Sequence, residues 1–425
     1  MNSIKWEIEP LCNLSCKHCI VKNIHYPESV SFYEKINIVD QLKSKGYNHI
    51  IFSTKEPLLD ENLFNIIKYN SSNNIYSSII TNGLILNEEI IGKLNEYKIK
   101  NLAISLEGWT KEDNDFIRGK GVFSVVDNIL SYLDQMEERK FDVVIQLNLN
   151  KVNIQNVESF IPYFSKYHNF VIEISEILPF GSAKSLSDIC CDPIDYFQFA
   201  YYILNHIEKN NIYIFEKLNV FMILLLNSLG LLNRTPTPPS CGIYKGSFSI
   251  LNNGSMCRCL LLEEVKEEIP FQNRLKTTLI ESSELKENIE NYHIKECNGC
   301  EYFTKCQICY LYHTSNYEKK YVENCLLFKS LRKEILKKIL ENRVRFKISE
   351  HIEQGEFGKV IRKYDDSNVI INNPKIYRTI SNMNIKLYSF YSESNLSEDI
   401  IDLMYKNDLI EIEKGGGLNE LLSNF

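Results

Sequence analysis

Two hydrophobic patterns alternate along the first part of the chain. Short runs rich in β-branched and other apolar residues predict buried strands at residues 4–8, 49–53, 76–81, 101–106, 142–149 and 170–178. Between them, apolar residues recur with helical spacing at residues 32–45, 62–69, 87–97, 123–138 and 154–167. Strands that alternate with helices form parallel sheets. The pattern therefore predicts an α/β fold, a partial (β/α)6 parallel barrel over residues 1–192.

The pattern changes after residue 192. Residues 193–240 predict a helical connection that stops at a Pro-rich segment. Residues 241–343 are rich in Cys and in loop-forming residues, and a helix over about 326–342 closes them. Residues 344–425 predict a small α+β segment. Its predicted elements are strands at 346–349, 359–363 and 369–372, a helix with Ser397 as N-cap and Asp399 in its first turn, and a strand at 409–413.

Composition and charge exclude some classes of partner. The net charge of −7 over 425 residues argues against the broad basic face of a nucleic-acid binder. The most apolar stretch, residues 220–232, is interrupted by polar residues and is shorter than the roughly 20 residues that cross a bilayer. No basic-then-apolar run precedes Cys12, so no signal peptide is expected. We expect a cytoplasmic protein without a nucleic-acid or membrane partner.

The chain contains thirteen cysteines. In the reducing compartment expected for it, cysteines are better candidates for metal ligands than for disulfides. The first three, Cys12, Cys16 and Cys19, follow the first predicted strand with the spacing C-x3-C-x2-C. Three thiolates on one short loop can bind three irons of a [4Fe–4S] cluster and leave the fourth iron open. A structural zinc site usually needs four protein ligands.

This loop resembles the motif of the radical S-adenosylmethionine (SAM) superfamily, in which an aromatic residue precedes the last Cys, as His18 does here. The resemblance implies that the open iron binds SAM. It also implies that one electron cleaves SAM to methionine and a 5′-deoxyadenosyl radical, which abstracts hydrogen from a substrate. Such an enzyme needs an external one-electron reductant such as flavodoxin or ferredoxin.

Further matches to this family follow the predicted strands in order. Glu56-Pro57 resembles the end of the family's Gly-Gly-Glu-Pro segment, although Thr54 and Lys55 replace its glycines. The others are Thr81-Asn82-Gly83, Ser105-Leu106-Glu107-Gly108, Asn114-Asp115 with Arg118-Gly119, and Pro179-Phe180-Gly181. In the family these segments meet the SAM amino group, carboxylate and adenine. The resemblance thus implies six residues that bind SAM: Glu56, Asn82, Ser105, Arg118, Pro179 and Gly181.

The C-terminal cysteines resemble the SPASM module, an auxiliary-cluster domain of some radical SAM enzymes. Gly254-x4-Cys259 and Cys297-x2-Cys300-x5-Cys306-x2-Cys309 follow its pattern, except that x3 is usual before the last Cys. The resemblance implies two auxiliary [4Fe–4S] clusters. One would be bound by Cys241, Cys259 and Cys309, with Cys257 as a candidate fourth ligand, and the other by Cys297, Cys300, Cys306 and Cys325. A zinc knuckle of Cys297, Cys300, Cys306 and Cys309 is the competing interpretation.

SPASM enzymes mostly modify peptides or proteins. The leading hypothesis is therefore a maturase that installs a thioether or carbon–carbon crosslink in a ribosomally synthesised precursor peptide. Residues 344–425 are either a peptide-recognition element that captures its ligand by strand addition or a structural cap. The alternatives are a formylglycine-generating enzyme like the anaerobic sulfatase maturases and a non-enzymatic zinc or electron-transfer protein. No catalytic acid or base is singled out by spacing.

Overall fold

The computed structural model divides into two compact units. The first comprises Met1–Cys191, His206–Lys217 and Cys241–Tyr292, and the second comprises Asp192–Asn205, Leu218–Ser240 and His293–Phe425. The structure describes residues 2–22, 29–178, 180–192, 194–195, 198–199, 202–203, 213–217, 248–257, 318–343, 345–348, 352–354, 359–363, 368–372, 376–377, 380, 394, 396–406 and 409–412.

The first unit is built on a parallel sheet, which confirms the predicted α/β fold. Each of the six predicted strands is present and pairs in parallel with the next one along the chain. They are β1 (Ser3–Trp6), β2 (His49–Phe52), β3 (Tyr76–Thr81), β4 (Asn101–Ser105), β5 (Asp142–Leu149) and β6 (Phe170–Glu176).

The sheet extends beyond these six strands on both sides. A seventh strand, β7 (Tyr213–Lys217), pairs in parallel with β6, so the prediction of a wholly helical connection over residues 193–240 is wrong at this point. Tyr, Ile and Phe begin this strand, and such residues favour strands where a sheet edge offers backbone partners. On the other side, β8 (Ser249–Ile250) pairs with β1 and leads into β9 (Met256–Cys257). Among the described strands β7 and β9 are the edges, so the barrel is open.

Six helices follow the strands in the described part of the first unit. The predicted ones are α1 (Phe32–Ser44), α2 (Leu63–Ser72), α3 (Glu88–Glu96), α5 (Val122–Gln135) and α6 (Phe160–Phe164), the last preceded by a 3-10 turn at Asn153–Ser159. The helix α4 (Lys111–Arg118) was not predicted, because it is mostly polar and lacks a continuous apolar stripe. The Thr110 side chain caps its start and Gly119 ends it.

The two faces of the sheet differ in polarity. The side chains on one face are apolar and fully buried: Ile4, Trp6, Ile50, Phe52, Ile79, Leu102, Ile104, Val143, Ile145, Ile172 and Ile174. Because side chains alternate along a strand, the neighbouring positions project from the opposite face. Near the carboxyl ends of the strands this second face carries polar groups: Glu7, Ser53, Ser105, Gln146, Asn148 and Ser175. A polar face at the carboxyl ends of a parallel barrel is where such folds place their reactive groups.

The second unit is α+β in its described part. The long helix α7 (Glu318–Leu340) begins earlier than the predicted helix. The strands β10 (Phe346–Ile348) and β14 (Ile410–Ile412) pair antiparallel, and β11 (Ile352–Gln354), β12 (Lys359–Lys363) and β13 (Asn368–Asn372) form a second antiparallel sheet. The helix α8 (Glu398–Lys406) begins directly after Ser397, as predicted. None of the described helices is both long and apolar enough to cross a bilayer.

Candidate cluster and SAM site at the carboxyl ends of the sheet

The first cysteine triplet lies in the loop of residues 9–22, here called the cluster loop, directly after β1. None of the three cysteines forms a disulfide; Cys12 is exposed, Cys16 buried and Cys19 half-buried. The loop is anchored to α4 by a 2.9 Å hydrogen bond from the Lys17 N–H to the Ile117 carbonyl. The loop that carries the three thiols therefore lies at the carboxyl end of β1, as the sequence predicted.

Three thiols on one loop suit a cubane cluster, which spreads its three Cys ligands over three irons. Among the described residues, no group of three or more His, Cys, Asp or Glu side chains is placed to bind a single metal ion. Burial raises the pKa of Cys16 to about 11 and also raises the pKa of Cys19. Positively charged iron would offset this cost of forming thiolates.

Glu56 joins the ends of β2 and β3. It is fully buried, and its Oε1 accepts hydrogen bonds from the Thr81 hydroxyl at 2.8 Å and the Leu58 N–H at 3.1 Å. Its Oε2 accepts one from the Asn82 N–H at 2.8 Å. Burial raises the pKa of Glu56, against the effect of these donors. Each carboxylate oxygen has two lone pairs, so Oε2 can still accept a ligand ammonium group.

Asn82 ties β3 to the cluster loop. Its side-chain amide donates to the Asn13 Oδ1 at 2.6 Å and to the Cys12 sulfur at 3.7 Å. Its own Oδ1 accepts from the Leu84 N–H at 3.0 Å. The residue that the resemblance assigned to SAM thus also supports the most exposed of the three thiols.

A buried carboxylate, Glu107, lies at the centre of the site. Its Oε1 is 3.0 Å from the Arg118 Nη1 and 3.1 Å from the His18 Nε2. Its Oε2 accepts hydrogen bonds from the side-chain amide and the backbone N–H of Asn148, at 3.0 and 3.1 Å. Burial alone would raise the pKa of Glu107, but His18 and Arg118 outweigh it and hold the pKa at about 2. Glu107 is therefore charged and joins the cluster loop to β4, α4 and β5.

Arg118 retains donors for a ligand. Its side chain is about 7% exposed, and its Nε has no hydrogen-bond partner among the described residues. A guanidinium carries five N–H donors, and its pairing with Glu107 through Nη1 leaves others for a carboxylate. The His18 Nδ1 is also buried without a partner in the described part of the chain. Buried donors without partners are costly, so they indicate a missing ligand.

Gly181 brings the loop after β6 against the cluster loop. Its φ of +58° is in the left-handed region, and a Cβ at this position would lie 2.4 Å from the Cys19 carbonyl oxygen. The next residue, Ser182, donates its N–H to that same oxygen at 2.9 Å. The predicted contact of Gly181 with adenine stays a prediction, and Pro179 lies outside the described residues.

Three functional candidates escaped the sequence analysis. Asn148 and Ser175 lie near the ends of β5 and β6, and the Ser175 hydroxyl donates to the Asn148 Oδ1 at 2.7 Å. Glu7, just after β1, is only 1% exposed, and its Oε2 has no partner within the described residues. Burial raises the pKa of Glu7 to about 7, opposed by Lys55. Each of the three is a polar residue at the end of a buried strand, and this position in the sequence could have identified them.

The other predicted sites are only partly visible. Ser105, half-buried, donates its hydroxyl to the Thr81 carbonyl at 3.3 Å. Cys257 is buried on β9 and packs with Val21 and Leu251, in a cluster against which Cys19 also packs. Cys325 lies on α7. The remaining predicted ligands lie outside the described residues: Cys241, Cys259, Cys297, Cys300, Cys306 and Cys309. Both auxiliary ligand sets stay predictions.

The chain is similar to curated proteins over part of its length. Fe-coproporphyrin III synthase of Methanosarcina barkeri is 31% identical over 176 residues, which cover 39% of this chain and 43% of that protein. Mycofactocin maturase MftC of Mycolicibacterium smegmatis is 25% identical over 187 residues, or 44% of this chain and 47% of that protein. The chain thus spans less than half the length of these two curated relatives.

Solved structures share the fold at low identity. Streptococcus suis SuiB bound to S-adenosylmethionine superposes with a TM-score of 0.59 at 16% identity, covering 73% of each chain. A structure of anSMEcpe with bound AdoMet gives a TM-score of 0.53 at 21% identity, covering 72% of this chain and 88% of that chain.

A family model matches the part of the chain that forms most of this site. Residues 6–161, from the end of β1 into α6, match the model of the Radical SAM superfamily. That range contains the cysteine triplet, Glu56, Asn82, Ser105 and Arg118, all gathered at one edge of the sheet. This part of the chain is therefore similar to the Radical SAM superfamily.

Proposed function

We propose that this enzyme is a peptide maturase that cleaves SAM reductively and installs a thioether or carbon–carbon crosslink in a ribosomally synthesised peptide. The observation that carries the proposal is the convergence of the cysteine triplet with Glu56 and with the unused donors of Arg118 at one sheet edge. When bound, the cluster and SAM supply the radical that abstracts hydrogen.

Different residues of the site would bind different groups of SAM. Arg118 offers its free N–H groups to the SAM carboxylate, and Glu56 offers an oxygen to the ammonium group. Glu107 holds the guanidinium in place through Nη1, while Asn82 fixes the Cys12 end of the loop. Ser105 and Gly181 border the same edge from β4 and from the loop after β6. Pro179 completes the proposed set of SAM contacts.

Two observations support a peptide substrate. SuiB, which has the same fold, is also known bound to a precursor peptide, SuiA, and the relative MftC is named a mycofactocin maturase. In the second unit, β10 and β14 pair only with each other among the described strands, which leaves strand edges for an added peptide strand. We propose that residues 344–425 recognise the precursor peptide in this way.

Auxiliary clusters would complete this reaction, because crosslinking removes a second electron from the substrate. We propose that Cys241, Cys257, Cys259 and Cys309 bind one [4Fe–4S] cluster. We propose that Cys297, Cys300, Cys306 and Cys325 bind another. Cysteines can serve a distant cluster in this crossed manner, as in two-cluster ferredoxins. A flavodoxin or ferredoxin would supply the first electron.

A second candidate function is a SAM-dependent step in haem synthesis. Its support is the 31% identity to Fe-coproporphyrin III synthase and the 25% identity to the AdoMet-dependent heme synthase of Methanosarcina barkeri. A formylglycine-generating activity is a further alternative. Assays with a porphyrin and with a sulfatase peptide therefore accompany the peptide assay.

The first experiment tests SAM cleavage. Anaerobically reconstituted protein, reduced with dithionite, should form 5′-deoxyadenosine, measured by chromatography with mass spectrometry. Substituting Cys12, Cys16 and Cys19 with Ala should abolish this product. The matched control is Cys190→Ala, which removes a buried thiol that packs on Ile177 and Ala183. An iron-loaded wild-type protein that neither binds nor cleaves SAM would disprove the proposal.

The second experiment identifies the substrate. Co-expression with a short peptide encoded beside this gene should give a product that has lost two hydrogen atoms per crosslink, measured by mass spectrometry. Unchanged peptide, together with a decarboxylated porphyrin, would favour the haem pathway instead. Conversion of a sulfatase Cys or Ser to formylglycine would favour the remaining alternative.

A further inference from the structure

Lys55 lies at a position where the family segment usually has glycine, and its side chain makes a specific contact. The residue is half-buried and follows β2. Its ammonium group donates to the Val21 carbonyl oxygen at 2.6 Å, across 34 residues of sequence. Since glycine has no side chain, this contact belongs to the present chain's own substitution.

Val21 connects Lys55 to a cluster ligand. It lies two residues after Cys19. Its side chain is buried against Leu251 and Cys257, in a cluster against which Cys19 also packs. The hydrogen bond from Lys55 to the Val21 carbonyl oxygen therefore fixes the chain directly after a cluster ligand.

The charge of Lys55 also acts on this end of the loop. No Asp or Glu oxygen among the described residues lies within ion-pair distance of its Nζ, and Glu7 interacts with it only at longer range. Lys17, by contrast, is exposed and holds its ammonium 3.4 Å from the centre of the Phe116 ring.

We propose that Lys55 is a positioning residue that fixes the Val21 end of the cluster loop beside Cys19 and, through its charge, raises the reduction potential of the cluster. Nearby positive charge stabilises the reduced cluster, which carries one more negative charge. The inference depends on the proposed cluster of Cys12, Cys16 and Cys19.

The test is a redox titration of the full-length, anaerobically reconstituted protein, followed by electron paramagnetic resonance. The relevant cluster is identified as the one whose signal changes when SAM is added. Lys55→Met removes the charge and the donor at nearly constant length and should shift the midpoint potential downward. Lys55→Gln keeps a donor and should shift it less, and Lys55→Arg should stay near the wild-type value. Lys68→Met, which removes an exposed charge on α2, is the matched control and should leave the potential unchanged.

The outcomes separate this inference from the proposed function. Equal potentials in wild type, Lys55→Met and Lys55→Gln would overturn the role of Lys55 but leave the cluster standing. If Lys55→Met does not fold, Lys55→Gln alone decides, and an unshifted potential in it overturns the inference. A folded Lys55→Gln protein that cannot take up iron would also overturn it, because Lys55 would then only hold the loop. A wild-type protein without a SAM-responsive signal would instead disprove the cluster.

Discussion

At the scale of single residues, the departures from the family segment have visible costs. Thr54 adopts a φ of +78°, which is a left-handed conformation and an unusual one for a β-branched residue. The family's glycine takes this conformation without strain. The neighbouring replacement, Lys55, forms a side-chain hydrogen bond. The Thr54 side chain forms none within the described residues, so nothing there offsets the strain of its backbone.

Thr54→Gly should therefore stabilise the first unit. Relief of left-handed strain is worth roughly 1–2 kcal/mol, and the greater entropy of the unfolded glycine chain cancels part of it. We expect a net gain of about 1 kcal/mol in the free energy of unfolding, measured by urea denaturation. Asn74→Gly is the control: its φ is +59°, but Asn tolerates this region, so the gain should be smaller. Equal effects of the two changes would contradict the assignment of strain to Thr54.

Glu7 should make stability depend on pH. Its pKa rises from 4.5 in the unfolded chain to about 7 in the folded protein. Below pH 4.5 the Glu7 carboxyl is protonated in both the folded and the unfolded state, so it does not change the stability. Between pH 4.5 and 7 the carboxyl stays protonated only in the folded state. Stability therefore falls as pH rises through this window, by up to about 3 kcal/mol.

Glu7→Gln should remove this part of the pH dependence. We would compare urea denaturation of the iron-free proteins at pH 5 and pH 8, where the variant should lose less stability than the wild type. Glu61→Gln, at an exposed position, is the control and should follow the wild-type profile. Parallel profiles for wild type and Glu7→Gln would show that the buried carboxyl does not carry the effect.

At the scale of elements, the cluster loop is held from several sides. Asn82 holds it from β3, Glu107 and Arg118 hold it from β4 and α4, and the loop after β6 closes on it at Gly181. These supports come from strands and helices that are far apart in sequence. The thiols therefore depend on the whole carboxyl edge of the sheet for their positions.

Gly181→Ala should disturb the loop through steric contact. The added Cβ would lie 2.4 Å from the Cys19 carbonyl oxygen, and alanine would also be strained at a φ of +58°. We expect a loss of about 3 kcal/mol in unfolding free energy and a lower iron content per chain, measured by denaturation and iron assay. Gly92→Ala, in α3 with open space around it, should instead stabilise slightly. Normal iron uptake by Gly181→Ala would refute the proposed close packing.

At the scale of the whole molecule, cofactor binding and folding are coupled. The cluster would bind a loop that the folded sheet presents, and a ligand specific for the folded state stabilises it. Burial of Cys16 and Cys19 disfavours their thiolates without a metal, so the iron-free protein should be the less stable form.

Removing iron should therefore lower the unfolding temperature. We expect anaerobic calorimetry to show a loss of several degrees on chelation, since each kcal/mol of lost stability shifts the midpoint by about 1 °C in a chain of 425 residues. In the variant with Cys12, Cys16 and Cys19 all changed to Ala, chelation should cost less, because only the auxiliary sites could respond. Cys190→Ala should behave like the wild type. An equal loss in the triple variant would mean that the first cluster contributes nothing to stability.

Sequence patterns determined the parallel strands, most of the helices and the position of the cysteine triplet. Strands and amphipathic helices are visible because each repeats a local period of apolar residues, and the triplet because its spacing is local. The short strand β7 was not predicted, because its formation depends on pairing with the free edge of β6. The polar helix α4 was not predicted either, because its sequence shows capping residues but no apolar stripe.

Only the tertiary structure decided which polar groups meet. The pairing of Glu107 with His18 and Asn148, the contact of Lys55 with Val21 and the burial of Glu7 join segments that no local pattern relates. Hydrogen bonds and desolvation depend on neighbours in space, and those neighbours come together only when the strands align their carboxyl ends. The sequence by itself determined where the sulfur ligands stand in the chain; the fold determined the charges and donors around them.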